Sequence, residues 1–361
     1  MSKSYWGEIT AIGSLPDIGT AAGLELVLHS LKKIPHWPQF PKRGEEYLTH
    51  QFLQVLIDCG LMEAPENSNP VLNEQSPTFV EGLTAFYQTY LEAESGKPEA
   101  LNAFAIPQWA GEGFAALVKE LTSSPTLKPQ YVKGQLVGPL TAGLQIRSAD
   151  NLPVFYDDQL RDVVIKALTM NIRWQVTQLS ATGLPVMIFL DEGLLYTYGH
   201  RDFLGISAQL ISDTFAELIT AIKDCGAEAG IHFCSRADWE LLFPAEPDIL
   251  AFDAYSYFSG MLAAAAQVNT FLAQGGTIAW GLIPSYEACF TETAASLCQR
   301  WQEYITRLEE KGVDGARLRN QYLITPSCGT GFYTPEIARR VYQLLQETGE
   351  LIRHTCRAGA G

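Results

Sequence analysis

The sequence is short of positive charge. Its 361 residues carry 25 Lys and Arg against 40 Asp and Glu, a formal net charge of −15, and no basic tract interrupts that excess. A surface of this sign repels phosphate backbones and anionic headgroups, so neither nucleic acid nor membrane is expected as a partner. Long hydrophobic runs are missing too. No stretch approaches the roughly 18 apolar residues that a membrane helix needs, and the opening Met1-Ser2-Lys3-Ser4-Tyr5-Trp6 leads into no apolar segment, so no secretory signal is expected. Cysteine is scarce and scattered: seven residues, at 59, 225, 234, 289, 298, 328 and 356. An odd, dispersed set in a chain of this size argues against a disulfide framework and for reduced thiols in a cytoplasmic protein.

What is present is alternation. Short apolar runs bounded by Gly, Pro or Asp recur at about 9–14, 101–107, 130–137, 185–191, 228–234, 249–254, 275–283 and 321–327. Most are separated by amphipathic helical patterns. Eight strands with intervening helices predict an α/β fold of the (β/α)8 TIM-barrel type, built as one domain over residues 1–361. The spacing is irregular at one place. Nearly ninety residues part the first two runs, so a long helical insertion at about 17–100 is expected to cap the barrel mouth.

In such barrels the chemistry sits at the C-terminal strand ends. Asp191-Glu192 closes the fourth run, His232 and Cys234 the fifth and Asp253 the sixth; Cys328 follows the eighth and Ser14 closes the first. Residues two apart on a strand share a face, so His232 and Cys234 project into one space. One imidazole and two thiolates, with Cys328, suit zinc, and Asp253 would add a displaceable carboxylate.

Taken together these segments resemble the cobalamin-independent methionine synthase family, at its C-terminal catalytic barrel. Ile12-Gly13-Ser14-Leu15-Pro16, Gly138-Pro139-Leu140-Thr141, Leu190-Asp191-Glu192, His232-Phe233-Cys234 and Pro326-Ser327-Cys328-Gly329 follow that family's order of motifs. The resemblance implies zinc ligands at His232, Cys234 and Cys328. The family's fourth ligand is a glutamate, where this chain has Asp253. It implies catalytic roles for Asp191 and His232, and a homocysteine-like thiol held by Ile12, Ser14, Asp191 and a glutamate, Glu45 or Glu46. The implied activity is S-methyl transfer to homocysteine, giving methionine. The family's N-terminal barrel, which helps hold the folate donor, has no counterpart in this sequence. The expected donor is therefore a methyl-corrinoid such as methylcobalamin, free or on a corrinoid protein, or else a folate. Two other readings stand beside it: a decarboxylase of the uroporphyrinogen type, and a non-catalytic zinc- or corrinoid-binding protein.

Overall fold

The computed structural model describes all residues except 1–2, 4, 45, 47–50, 65–69, 125, 202–204 and 359–361. Six strands form one parallel sheet in simple sequence order: β1 (Val132–Val137), β2 (Val186–Glu192), β3 (Glu228–Phe233), β4 (Ile249–Phe252), β5 (Thr277–Ile283) and β6 (Tyr322–Pro326). Nearly every residue of these strands is buried. A parallel sheet covered on both faces needs such continuous apolar runs, and this is why they stood out in the sequence.

The longer helices include α1 (Thr20–Ser30), α2 (Phe79–Glu94), α3 (Pro139–Gln145), α4 (Asp158–Ser180), α5 (Ala208–Asp224), α6 (Ala254–Ala263), α7 (Ala294–Glu310) and α8 (Pro335–Ala358). Local chemistry sets where several begin. Asp157 accepts hydrogen bonds from the Gln159 and Leu160 amides at the start of α4, Ser207 from Leu210 at α5, and Thr293 with Ser296 forms a capping box at α7.

The expected second strand at 101–107 does not form. Pro98–Asn102 is helical there, as proline at the first helical position favours. Its place beside β1 is taken by the proline-rich segment at 34–41, within the stretch expected to be a helical insertion. His36 bridges Lys133 in parallel, and Gln39 bridges Ser14. The expected first strand is likewise a short extended segment, with Ile9 bridging Ile324 of β6. Backbone hydrogen bonds from Lys133 to Pro35, Leu15 to Gln39 and Thr10 to Ile324 carry these links. The prolines at 35, 38 and 41 remove ladder donors, which keeps the second segment from reading, or pairing, as a regular strand.

The stretch 17–100 is thus not one insertion. α1 leads back to the sheet edge at His36–Gln39, and the long excursion lies between Pro41 and Tyr131. On one face of the sheet Met187 and Phe189 of β2 and Leu323 of β6 belong to a single small buried cluster with Tyr5 and Ile34. Trp280 of β5 faces the other way, among Phe252, Trp301 and Tyr304. No described helix is long and apolar enough to cross a membrane.

Candidate metal centre and substrate cavity

The ends of β3 and β6 bring three donors together. His232 lies on β3, Cys234 is the first residue past it, and Cys328 follows β6; their ligand atoms all lie within 4.8 Å of one another. The cysteine loop is held by a residue that the sequence reading passed over. Ser285, just beyond β5, donates its hydroxyl to the Cys328 carbonyl (2.6 Å) and accepts from the Cys328 amide (3.1 Å). The sequence offered only a faint hint of it, in the Pro284-Ser285 pair closing a strand.

His232 is 3% exposed, yet neither ring nitrogen has a hydrogen-bond partner. An unsatisfied buried polar group costs about 1–3 kcal/mol, so such a histidine is expected to have something to bind. The hydrogen bond between the two thiols, with the nearby imidazole, holds Cys234 well below its ordinary value, while the same bond and burial push Cys328 well above its own. A nitrogen and two sulfurs at this spacing fit zinc, whose structural and catalytic sites use this donor set.

Asp253 does not join them. Its side chain caps α6, accepting from the Ser256 amide at 2.8 Å, and it is outside the three-residue group. Burial lifts it to about 6. The shorter carboxylate at the start of a helix reaches the helix's own amide, which competes with any ligand role.

Asp191 and Glu192, adjacent in sequence, have different work. Asp191 is paired in register with His232, and its Oδ1 has no partner. Burial raises it to about 6, against the opposing charge of Lys133. Glu192 turns away to the N-terminus of α3. It accepts from the amides of Leu140 (2.8 Å) and Thr141 (3.1 Å) and from the Thr141 hydroxyl (2.7 Å). The Thr141 oxygen in turn accepts from the Gly193 and Leu194 amides. The two motifs Gly138-Pro139-Leu140-Thr141 and Asp191-Glu192 are therefore one local structure. Gly138 leaves room for Glu192, because a Cβ there would collide with the Glu192 carboxylate. Gly138→Ala should cost about 1–3 kcal/mol in urea unfolding, and an unchanged midpoint would show that the contact relaxes freely.

These groups face a cavity of about 210 Å³, lined among others by Ile12, Ser14, Asp191, His232, Cys234 and Cys328. Ser14 is fixed against the loop after Cys328, its hydroxyl accepting from the Gly331 amide at 3.3 Å. The Ile12 carbonyl takes the buried Lys133 ammonium at 2.6 Å. Glu46, expected among the substrate ligands, is elsewhere. It is fully buried, accepts from the Phe40 amide (2.7 Å) and pairs with Arg43 (3.2 Å), which makes it a brace for the 40–46 loop. Glu45 lies outside the described residues.

No family model matches the chain, and no curated protein matches it at sequence level. Its fold is an α/β fold shared with a solved B12-independent methionine synthase from Shewanella sp. W3-18-1, in complex with selenomethionine. The two align at a TM-score of 0.56 and 14% identity, over 98% of this chain and 99% of that one. The likeness in fold to that enzyme matches the resemblance seen in the motifs. The solved protein is described as B12-independent, so the likeness lends methylcobalamin no support.

Proposed function

We propose that this chain is a zinc-dependent S-methyltransferase that methylates a small thiol amino acid, homocysteine in the first place, from a folate-type donor. The single observation that carries the reading is the His232, Cys234 and Cys328 group, with an unsatisfied buried imidazole, opening on a cavity that also holds Asp191. The likeness in fold to a methionine synthase supports the class of reaction. We also read the bridges at Ile9, Ser14 and His36 as the joints by which the six-stranded sheet closes into a barrel.

Zinc, when bound by His232, Cys234 and Cys328, would hold the substrate thiol as thiolate at neutral pH, where a free thiol near 8.5 is mostly protonated and a poor nucleophile. The chain's own residues do the rest. The unpartnered Asp191 oxygen accepts the substrate ammonium, which also keeps that carboxylate ionised. Ser14 and the backbone about Ile12 lie where the substrate carboxylate would end. Glu192 and Thr141 hold the 193–194 turn as a wall, so the amino acid is oriented before any donor arrives. A volume near 210 Å³ suits an amino acid of this size. The decarboxylase reading asks for arginines around a polyanion, and among the described residues lining this cavity there are two carboxylates and two thiols but no arginine.

The purified chain should carry about one zinc. With cobalt in its place, homocysteine should shift the metal's absorption while homoserine does not. Asp191→Asn should weaken homocysteine binding at least tenfold, as loss of a charge-assisted hydrogen bond of about 1.5–3 kcal/mol requires. A cobalt spectrum indifferent to homocysteine would end the proposal.

A further inference from the structure

Lys133 of β1 is a buried cation, with 1% of its surface exposed. Its ammonium donates to the Ile12 carbonyl at 2.6 Å and stands 4.8 Å from the centre of the Phe189 ring. Among the described residues no carboxylate lies within ion-pairing distance of it. Burial pulls the ammonium down to about 8, against the opposing charge of Asp191, so the group stays mostly protonated at neutral pH. The neighbouring His36 is no second cation. Burial, and then the Lys133 charge, hold it down at about 3. Its ring nitrogens are paired with the Trp37 carbonyl (2.8 Å) and the Tyr342 hydroxyl (2.7 Å).

Taking an ammonium out of water costs stability, and an apolar side chain of like size in its place is often neutral or better. A charge kept in such a place is expected to act on something close by. We infer, on the reading of the cysteine cavity as the site of a thiol amino acid, that Lys133 positions the substrate carboxylate through the peptide joining Ile12 to Gly13.

That peptide is trans, as are all those described, so the Ile12 carbonyl and the Gly13 amide point opposite ways. Lys133 holds the carbonyl. The Gly13 amide therefore turns away from the ammonium, in a stretch whose Ile12 and Ser14 line the cavity. Neither the Gly13 amide nor the Ser14 amide has an acceptor among the described residues. A charged donor on a carbonyl polarises its peptide and makes the amide of that peptide a stronger donor. Packing fixes the orientation. Gly13 has a φ of 145°, which side-chained residues rarely adopt, and a Cβ there would run into the Gln135 side chain.

Charge counting supports the same role. Asp191 takes the substrate ammonium, which leaves the substrate carboxylate in need of a cation. Among the described residues lining the cavity there is neither lysine nor arginine. Lys133, one peptide away, supplies that charge without entering the cavity, and so without competing with the ammonium for Asp191.

Titration calorimetry of the full chain tests this with two ligands, homocysteine and the amine left when its carboxylate is removed. The parent should bind homocysteine about tenfold or more tightly than the amine. Lys133→Met and Lys133→Gln are uncharged and of similar length. Each should weaken homocysteine about tenfold or more and leave the amine almost unchanged, so that the preference for the carboxylate disappears. Both variants should keep the circular dichroism of the parent. Equal weakening of the two ligands, or homocysteine binding unchanged in both variants, overturns the inference. So does loss of the fold in both, which would make Lys133 a structural residue. A parent that binds neither ligand up to about 1 mM fails earlier, at the reading of the cavity itself, and the role of Lys133 falls with it.

Discussion

Cys328→Ser should strip the chain of metal while leaving it folded. The serine hydroxyl does not ionise at neutral pH and cannot replace a thiolate donor. It leaves His232 and Cys234 as two ligands where zinc wants at least three from the protein. Loss of a partner that merely orients a ligand costs about 10–100-fold in metal affinity, so loss of a ligand should exceed a hundredfold. Zinc measured after gel filtration should fall from about one per chain to a small fraction. Folding should survive, because the loop is held through the Cys328 backbone, by Ser285, and not through its sulfur. The control is the unsubstituted chain stripped with EDTA, whose thermal midpoint the variant should match. Full zinc in the variant would place the metal elsewhere.

Glu192→Ala should be the most damaging single change to stability near the site. It leaves two amides at the start of α3 and the Thr141 hydroxyl without their acceptor in a buried place, and each unsatisfied group costs about 1–3 kcal/mol. A loss on the order of 3–5 kcal/mol is expected in urea unfolding. Glu192→Gln gives the sign of the charge term. Burial lifts Glu192 from 4.5 to about 7. Between those values the unfolded chain has released this proton while the folded chain keeps it, so the residue's contribution is full below 4.5 and is lost as pH rises to about 7. The stability gap between the parent and Glu192→Gln, the parent taken as reference, should therefore move against the parent over that window, by on the order of 3 kcal/mol. A gap independent of pH would mean that the carboxylate is ionised throughout.

Most of the regular architecture was legible in the sequence because parallel strands buried on both faces are written as unbroken apolar runs. All six strands, β1 to β6, coincide with predicted runs, β2 reaching one residue beyond its run, to Glu192. The two misreadings have physical causes. Residues 101–107 carry a strand-like composition, but Pro98 opens a helix just before them. The segment at 35–39 is rich in proline and reads as loop, yet a single bridge per edge suffices to attach it to the sheet.

The site shows the same division. His232, Cys234, Cys328, Asp191, Ile12 and Ser14 all reach one cavity, as their positions at strand ends led one to expect. Asp253 and Glu46 do not. Each carboxylate is taken by a nearby backbone amide, Asp253 by Ser256 and Glu46 by Phe40, and a local bond of that kind is invisible to strand counting. The Ser285 brace had no spacing that would have revealed it.

By itself the sequence determined which residues meet at the strand ends: an imidazole and two thiols, whose ligand atoms lie within 4.8 Å of one another. Only the tertiary structure decided which carboxylate serves which purpose. Asp191 and Glu192 are neighbours in the chain and both line the cavity, but Asp191 stands beside His232 with an oxygen free while Glu192 is bound by the amides of α3.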